Sequence, residues 1–435
     1  MMQNYVNHLW DYFDKFRHSK LSKVFFWDVL SKGSDFVFLP LYLKILTQAE
    51  YGFYTYTIYI ITTLSGILNL GLDTSLSKMY YETENDGRKT MLFSINIIWF
   101  LFFAVVFLFC LITSIDNILL TEVLNVSLGD YRQIRFFIFG FVLFKMIQNT
   151  LNIFFVIDDN SITYQKYNLF RTLIGNSIVL IILAYFTTGN KAYFRLYLEP
   201  IFFFLSFIPL IIIFIKRMKF KINWKFVKDS LTLGMPIMGS VIVGVVYNIS
   251  DKYFLQKSNG YDTLAVYNLT LFLTLPISLV FMSFSTIWMP IFFKEHSSII
   301  RFRDTNKYFV RLTLFYLILL ILIESILIIG VKLDFLKSEY TPIIYIYPIV
   351  FVAKVMENLF QLYNNFIIAW NKTLFNLLIS VLFSVITLVL NFLIIPEWGL
   401  YGAITTLFLL SATRLIIFYT FVQSNINHKN DLKFK

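Results

Sequence analysis

Long apolar runs alternate with short polar stretches along almost the entire chain. Twelve runs stand out, and each has about 20 residues or more, the length of α-helix that crosses the hydrocarbon core of a bilayer. They are too long and too continuously apolar to be strands of a membrane barrel. The pattern therefore predicts an all-α polytopic membrane protein. The predicted spans are 24–46, 52–72, 91–114, 134–157, 168–187, 194–215, 229–250, 262–287, 308–331, 340–369, 373–394 and 399–423.

Composition agrees with this pattern and excludes a soluble protein. Apolar residues make up 58% of the 435 positions and charged residues only 14%, whereas a soluble domain carries about 25% charged residues. The net charge of +11 comes from basic residues that cluster in the loops, so we expect no nucleic-acid partner. A single cysteine, Cys110, excludes an intramolecular disulfide.

The distribution of basic residues between the loops predicts the orientation of the chain. If the N-terminus is cytoplasmic, the loops on that side hold most of the lysines and arginines, as the positive-inside rule requires. Both termini are then cytoplasmic. The most basic loop bisects the chain, with six spans on each side. The predicted organisation is an amphipathic cytoplasmic arm (1–23), a six-helix bundle (24–215), a basic linker (216–228), a second six-helix bundle (229–423) and a cytoplasmic tail (424–435).

Weak internal similarity favours two related halves. The turn Ala49–Thr57 resembles Asp262–Thr270, and Glu397–Thr405 is a third, fainter echo. Because six spans return the chain to its starting side, the halves would be parallel repeats. The alternative is that Gly/Tyr-rich turns recur because tyrosine anchors spans at the membrane interface.

Glycine and proline mark two spans in particular. Gly33 and Pro40 are expected to interrupt the first span, and Gly234, Pro236, Gly239 and Gly244 the seventh. Interrupted spans at matching places in two halves are typical of a transporter's binding cavity. Small residues that merely permit close helix packing are the alternative.

Charged residues inside the spans are the candidate functional groups. Each costs about 2.5–3.5 kcal/mol on insertion scales, so we expect each to face a protein interior or an aqueous cavity. Two Lys–carboxylate pairs are spaced three residues apart and share a helix face; such pairs could instead neutralise each other and lock helices together. The surplus of positive charge suits an anionic substrate such as a phosphate group. These residues are Lys32, Asp35, Lys145, Glu324, Lys354, Glu357 and Arg414.

Motifs of catalysis and cofactor binding are missing from the sequence. No Walker A loop, HExxH, CxxC or dinucleotide fingerprint occurs. We therefore predict no catalytic residue, no metal site and no cofactor.

Two stretches of the chain resemble the Wzx-type polysaccharide flippases. They are Leu39–Glu82, with its Tyr-Gly turn and its GLD…YYE end, and Gly234–Phe293, with SDKYFL and the closing WMPIFF. Those flippases belong to the multidrug/oligosaccharidyl-lipid/polysaccharide exporter superfamily. The motifs span about 100 residues, and the hydropathy pattern matches over most of the chain.

The resemblance implies a flippase in the bacterial cytoplasmic membrane. Its substrate would be an undecaprenyl-diphosphate-linked oligosaccharide repeat unit for O-antigen, capsule or exopolysaccharide, moved by alternating access of two six-helix bundles around a cationic central cavity. A proton or sodium gradient, membrane lipids, and polysaccharide polymerase and chain-length proteins are the implied partners. Lys32, Lys145, Lys354 and Arg414 are the candidate substrate-binding residues, and Asp35, Glu324 and Glu357 the candidate ion-coupling residues.

A drug or cation antiporter of the same superfamily is the nearest alternative. Its cavity would need more acidic than basic residues, and the spans of this chain show the reverse. The sign of the cavity charge therefore separates the two functions.

Overall fold

The computed structural model describes residues 20–187, 189–294, 297–333, 336–370 and 372–431. Within these ranges the chain is helical almost throughout and forms no strand. The predicted all-α membrane fold is confirmed. Most of the predicted N-terminal arm, 1–19, and the last four residues of the predicted tail lie outside the described residues.

The helices have the length and composition of membrane spans. In the described part of the chain, eight helices are long and apolar enough to cross a bilayer, and a bent pair of helices counts as a ninth. Two of the eight contain two helices each, because the backbone leaves helical geometry at Gly260 and Gly399. The first helix, α1 (Lys20–Ile45), is more polar because it carries Lys32 and Asp35. The predicted spans fall in helical segments of the chain, although the second and the fifth each run over more than one helical element.

The chain divides into two compact units, residues 1–242 and 243–435. The first unit begins with α1, and its interior is rich in aromatic side chains. The helices that follow α1 are α2 (Gln48–Leu68), α3 (Leu72–Glu82), α4 (Asn85–Thr113), α5 (Ile115–Leu124), α6 (Leu128–Ile157), α7 (Ser161–Phe170), a π-helical turn (Arg171–Gly175), α8 (Asn176–Tyr185), α9 (Lys191–Lys216) and the first part of α10 (Trp224–Leu273).

The second predicted span is broken, and local sequence explains the break. Thr47 and Glu50 form a capping box that starts α2. The helix ends where Leu70 and Gly71 take positive φ angles of 55° and 68°, a conformation that glycine adopts without strain. The chain then resumes as α3, bent by 46° from α2.

The second unit holds the rest of the chain. Its interior is built on α13, which is buried along much of its length. By contrast, α12 is largely exposed, as expected of a helix that faces lipid. The helices of this unit are the remainder of α10, α11 (Leu275–Lys294), α12 (Ser298–Lys332), a 3₁₀ turn (Ser338–Tyr340), α13 (Ile343–Ala369) and α14 (Thr373–Asp431).

The expected interruptions of the first and seventh spans are wrong. Gly33 and Pro40 lie within continuous α1, and Gly234 and Pro236 within continuous α10. Proline is tolerated inside membrane helices because neighbouring groups satisfy the carbonyl that it frees. The breaks occur instead between α2 and α3, at Gly260 and at Gly399.

One loop assignment is also wrong. The predicted spans leave Lys252 in the loop between the seventh and the eighth, but α10 continues past it and buries it. A buried lysine next to Asp251 is stable because the ammonium group has a carboxylate partner.

Candidate functional site

A buried arginine lies between two tyrosine rings in the first unit. The guanidinium of Arg195, on α9, lies 3.5 Å from the ring centre of Tyr42 and 3.7 Å from that of Tyr54. Its Nε donates a 2.6 Å hydrogen bond to Oε1 of Glu199, one helical turn further along. Planar stacking and a charge-assisted bond together suit arginine and no other cation.

The remaining polar atoms around this ion pair are also hydrogen-bonded. The hydroxyl of Tyr54 donates to the other carboxylate oxygen of Glu199. The hydroxyl of Tyr42 donates to Oδ1 of Asn176 at 3.0 Å. The Arg195–Glu199 pair therefore neutralises itself and ties α1, α2, α8 and α9 together.

Arg171 is buried in a different way, since much of its guanidinium lacks a partner. It is the first residue of the π-helical turn, and its charge lies 4.5 Å from the ring centre of Phe203 and 5.9 Å from that of Phe207. Its Nη2 donates to Oγ1 of Thr172 at 3.4 Å. Across the described residues, its buried Nε and Nη1 have no hydrogen-bond partner.

Such unpaired donors are costly and π-turns are unusual. A buried donor without a partner costs about 1–3 kcal/mol, and more when the group is charged. π-helical turns inside α-helices occur frequently at functional sites. Arg171 therefore has the features of a residue that binds an anion or ordered water.

Two predicted residues lie near Arg171. Lys145, on α6, is half-buried; its Nζ lies 3.4 Å from Oε1 of Gln148 and 5.9 Å from the ring centre of Phe141. Asp35, on α1, is within electrostatic range of both Lys145 and Arg171. Among the residues that the structure describes, Lys145 has no carboxylate within 4 Å.

The charges of the buried cluster around Arg171 and Arg195 do not cancel. Three cations, Lys145, Arg171 and Arg195, face two carboxylates, Asp35 and Glu199. One positive charge is left over. Because the Arg195–Glu199 pair is closed, this excess lies with Lys145 and Arg171.

In the second unit, the predicted pair of Lys354 and Glu357 on α13 forms an ion pair. Its Nζ–Oε2 distance is 2.6 Å. The other oxygen of Glu357 accepts a 2.9 Å hydrogen bond from the hydroxyl of Tyr247 and lies 3.5 Å from Oγ of Ser411. Glu357 thus connects α13 with α10 and α14.

Arg414, on α14, lies next to this pair but outside it. Its guanidinium packs 4.2 Å from the ring centre of Phe360, and its Nη2 donates a 3.4 Å bond to Oγ of Ser380. It is in electrostatic contact with Glu357 without forming a salt bridge in the described part of the chain. Its buried Nε has no partner there. Arg414 therefore repeats in the second unit the arrangement of Arg171 in the first.

A small polar cavity of about 30 Å³ lies beside the ion pair of Lys354. It is large enough for one or two water molecules. Asp251 accepts a 2.6 Å bond from Tyr267 and pairs with Lys252 at 3.3 Å. Three cations, Lys252, Lys354 and Arg414, thus face the carboxylates of Asp251 and Glu357, which again leaves one positive charge.

The other two predicted residues lie apart from these clusters. Lys32 is exposed on α1, and no salt bridge joins it to Asp35 in the described residues. Glu324 lies on the largely exposed α12, close to Tyr347, and its buried Oε2 has no partner among the described residues. The structure therefore brings together Asp35 with Lys145, and Lys354 with Glu357 and Arg414.

Sequence reasoning missed Arg171, Arg195 and Glu199. All three fall inside predicted spans, near the beginning of the fifth and the sixth. The i,i+4 spacing of Arg195 and Glu199 was a readable signal of an ion pair on one helix face. Nothing in the sequence indicates the two tyrosines, because their contacts with Arg195 cross between helices.

Comparison with protein families gives a match over most of the chain. A family model described as polysaccharide biosynthesis protein matches residues 24–296. No curated protein matches the chain by sequence.

Solved structures share the fold at low sequence identity. An inward-facing multidrug resistance MATE family transporter of the MOP superfamily has a TM-score of 0.69 and 10% identity, with 93% of this chain and 96% of that chain covered. The lipid II flippase MurJ, in an inward closed conformation, has a TM-score of 0.70 and 13% identity, with 92% of this chain and 86% of that chain covered. A MOP superfamily transporter from Pyrococcus furiosus has a TM-score of 0.61 and 12% identity, with 93% of this chain and 95% of that chain covered. The binding pocket of that transporter is described as having reverse polarity.

Proposed function

The chain belongs to the polysaccharide biosynthesis protein family, and on that basis we propose that it is a flippase for lipid-linked oligosaccharides. It moves undecaprenyl-diphosphate-linked repeat units across the bacterial cytoplasmic membrane for surface polysaccharide synthesis. Its shared fold with MOP superfamily transporters supports transport by alternating access. Both termini are cytoplasmic in this proposal, in keeping with the loop charges.

The observation that carries the proposal is the unpaired guanidinium of Arg171. Its Nε and Nη1 are buried with no partner in the described residues, and Lys145 adds a second cation, so that these two cations share the single carboxylate of Asp35. A guanidinium fork binds phosphate oxygens bidentately, and a lysine adds a point charge. The diphosphate of the substrate is the group that satisfies these donors.

Arg414 and Lys354 serve the same role in the second unit. Arg414 contributes positive potential, and Glu357 holds Lys354 until substrate or ion binding shifts that pair. Lys32 is retained as a substrate-binding candidate because it is exposed on the same helix as Asp35.

Coupling to a proton or sodium gradient is assigned to carboxylates. Asp35 is within electrostatic range of Lys145 and Arg171, and Glu357 links three helices, so a change of charge at either carboxylate alters the contacts between helices. Glu324 is the third candidate, since its buried oxygen lacks a partner among the described residues.

A drug or cation antiporter is the alternative, and the shared fold with multidrug transporters favours considering it. Such a protein attracts cations and needs a surplus of carboxylates. Each polar cluster here has three cations for two carboxylates. The charge balance therefore favours an anionic substrate.

The decisive experiment measures the lipid-linked oligosaccharide itself. In a strain lacking the gene, we expect undecaprenyl-linked oligosaccharide to accumulate on the inner leaflet and surface polysaccharide to be lost. The wild-type gene ends the accumulation and restores surface polysaccharide, whereas the Arg171→Ala and Lys145→Ala variants do neither. The control variant Arg132→Ala, which alters an exposed arginine on α6, behaves as wild type. Normal surface polysaccharide in the deletion strain would refute the proposed function.

A further inference from the structure

A groove on the surface of the first unit is lined mostly by apolar side chains and carries one lysine. It has a volume of about 480 Å³ and lies between the fifth and sixth spans. The fifth span contributes Phe170, Ile174 and Ile178, which are spaced four residues apart and form one stripe along the helix. Phe170 and Ile174 are exposed, so the groove opens outward from the helix pair.

A cation lies at one end of this apolar stripe. Lys166 is exposed there, and the neighbouring Tyr167 is half-buried. The Lys166 ammonium lies 5.4 Å from the ring centre of Trp27 on α1. Lysine and tryptophan together are typical of the headgroup level of a membrane, where the long lysine side chain reaches the interface.

The length of the groove matches one leaflet. From Lys166 to Ile178 the helix advances by 12 residues, or about 18 Å. The hydrocarbon core of a bilayer is about 30 Å thick, so one leaflet is about 15 Å deep. A single acyl chain whose phosphate lies beside Lys166 would therefore run to about the middle of the bilayer.

The groove lies on the opposite side of its helix from the buried cationic cluster. Phe170 and Ile174 face outward, whereas Arg171 is buried against Phe203 and Phe207 of α9. Buried arginine and lysine suit a diphosphate, while the groove offers one exposed cation. This separation favours a membrane phospholipid over the transported substrate as its occupant.

We propose that this groove binds an anionic phospholipid, with its phosphate on Lys166 and one acyl chain along Phe170, Ile174 and Ile178. The basis is charge complementarity at one end and the match of the apolar stripe to one leaflet. The far wall of the groove is α9, through Phe202 and Ser206. The residues that follow these two, Phe203 and Phe207, pack on Arg171, so the bound chain lies directly behind the aromatic wall of that arginine.

Gly175 explains how the π-helical turn and α9 can lie so close together. A Cβ at Gly175 would lie 2.9 Å from Cε1 of Phe203, so a side chain there would push the ring away. Glycine allows the π-helical turn and α9 to approach closely while leaving the outer surface concave.

The test measures which lipids the purified full-length protein retains. Wild type is reconstituted in nanodiscs of equimolar phosphatidylglycerol and phosphatidylcholine, transferred to detergent, and analysed by native mass spectrometry. We expect phosphatidylglycerol to be enriched. In Lys166→Gln this enrichment falls about fivefold, the effect of losing one lysine contact to an anionic headgroup. Lys216→Gln, an exposed lysine at the end of α9 outside the groove, keeps the enrichment.

A second variant tests the groove independently of charge. Ser206→Trp fills the groove with a large apolar side chain. The serine hydroxyl that it removes donates a 2.8 Å bond to the carbonyl of Phe203 within α9. We expect this variant to remain monodisperse and to retain fewer lipids of both kinds.

Two results would overturn the proposal. One is unchanged phosphatidylglycerol enrichment in Lys166→Gln. The other is displacement of phosphatidylglycerol by added undecaprenyl phosphate at equal concentration, which would assign the groove to the carrier lipid of the substrate. Neither readout involves transport, so the proposed flippase function stands or falls separately.

Discussion

Gly71 and Gly234 meet backbone to backbone. A Cβ on Gly71 would lie 2.4 Å from the carbonyl oxygen of Gly234, and a Cβ on Gly234 would lie 2.5 Å from the carbonyl oxygen of Leu70. Nearby, Oγ of Ser75 donates a 2.8 Å bond to the carbonyl of Ser230. The break in the second span is therefore held against α10 by main-chain contact, which only glycine permits.

Substituting alanine for either glycine should destabilise the first unit. At Gly234 the methyl group has no room, and overpacking of this kind costs about 1–3 kcal/mol; at Gly71 the positive φ adds strain. We expect a lower melting temperature of the purified protein for Gly71→Ala and Gly234→Ala. Gly239→Ala is the matched control, because a Cβ there meets nothing within 4 Å. An equal melting temperature for all three variants would contradict the contact.

Arg195→Lys should destabilise the protein although it keeps the charge. The lysine ammonium cannot stack flat between Tyr42 and Tyr54, and each stacking contact is worth about 0.5–2 kcal/mol. We expect a lower melting temperature, with Arg132→Lys on the exposed face of α6 unchanged. A wild-type melting temperature for Arg195→Lys would show that charge alone holds this cluster.

Glu357→Gln should impair transport without preventing membrane insertion. The substitution is nearly isosteric, so the bond from Tyr247 can persist, but the charge that holds Lys354 at 2.6 Å is lost. The measurement is surface polysaccharide normalised to membrane protein level. Glu339→Gln, on the 3₁₀ turn, serves as the comparison. Full transport by Glu357→Gln would remove this carboxylate from the coupling mechanism.

Arg414→Lys should impair transport less than Arg414→Ala does. If Arg414 acts by electrostatic attraction, lysine preserves the effect while losing the planar fork and the stacking on Phe360. The same normalised polysaccharide assay measures it. Normal transport by Arg414→Ala would show that the substrate site does not depend on this charge. If loss of transport follows loss of protein, Arg414 stabilises the bundle and does not bind substrate.

The orientation of the chain is testable with reporter fusions. The positive-inside pattern places the loop around Lys225 in the cytoplasm and the turn that follows Lys257 outside. Alkaline phosphatase fused after Lys225 should be inactive, and after Lys257 active. The opposite activities would reverse the orientation and place both termini outside.

Hydropathy along the chain was sufficient to predict the class of fold. A bilayer requires about 20 apolar residues per helix and forbids unpaired backbone groups, so hydropathy alone located the spans. The same cost of charge in lipid identified Lys145, Lys354, Glu357 and Arg414 as unusual, and the three-residue spacing correctly indicated the bond between Lys354 and Glu357.

Which charges meet, and where the helices break, depends on how the helices pack against one another. Arg195 stacks on tyrosines from two other helices, and the unpaired donors of Arg171 are visible only once its neighbours are placed. Pro40, which the sequence suggests as a break, lies in a continuous helix, whereas the break near Gly71 depends on contact with Gly234. Local sequence sets what each helix can tolerate, but contacts between helices distant in the chain determine which partner each side chain finds.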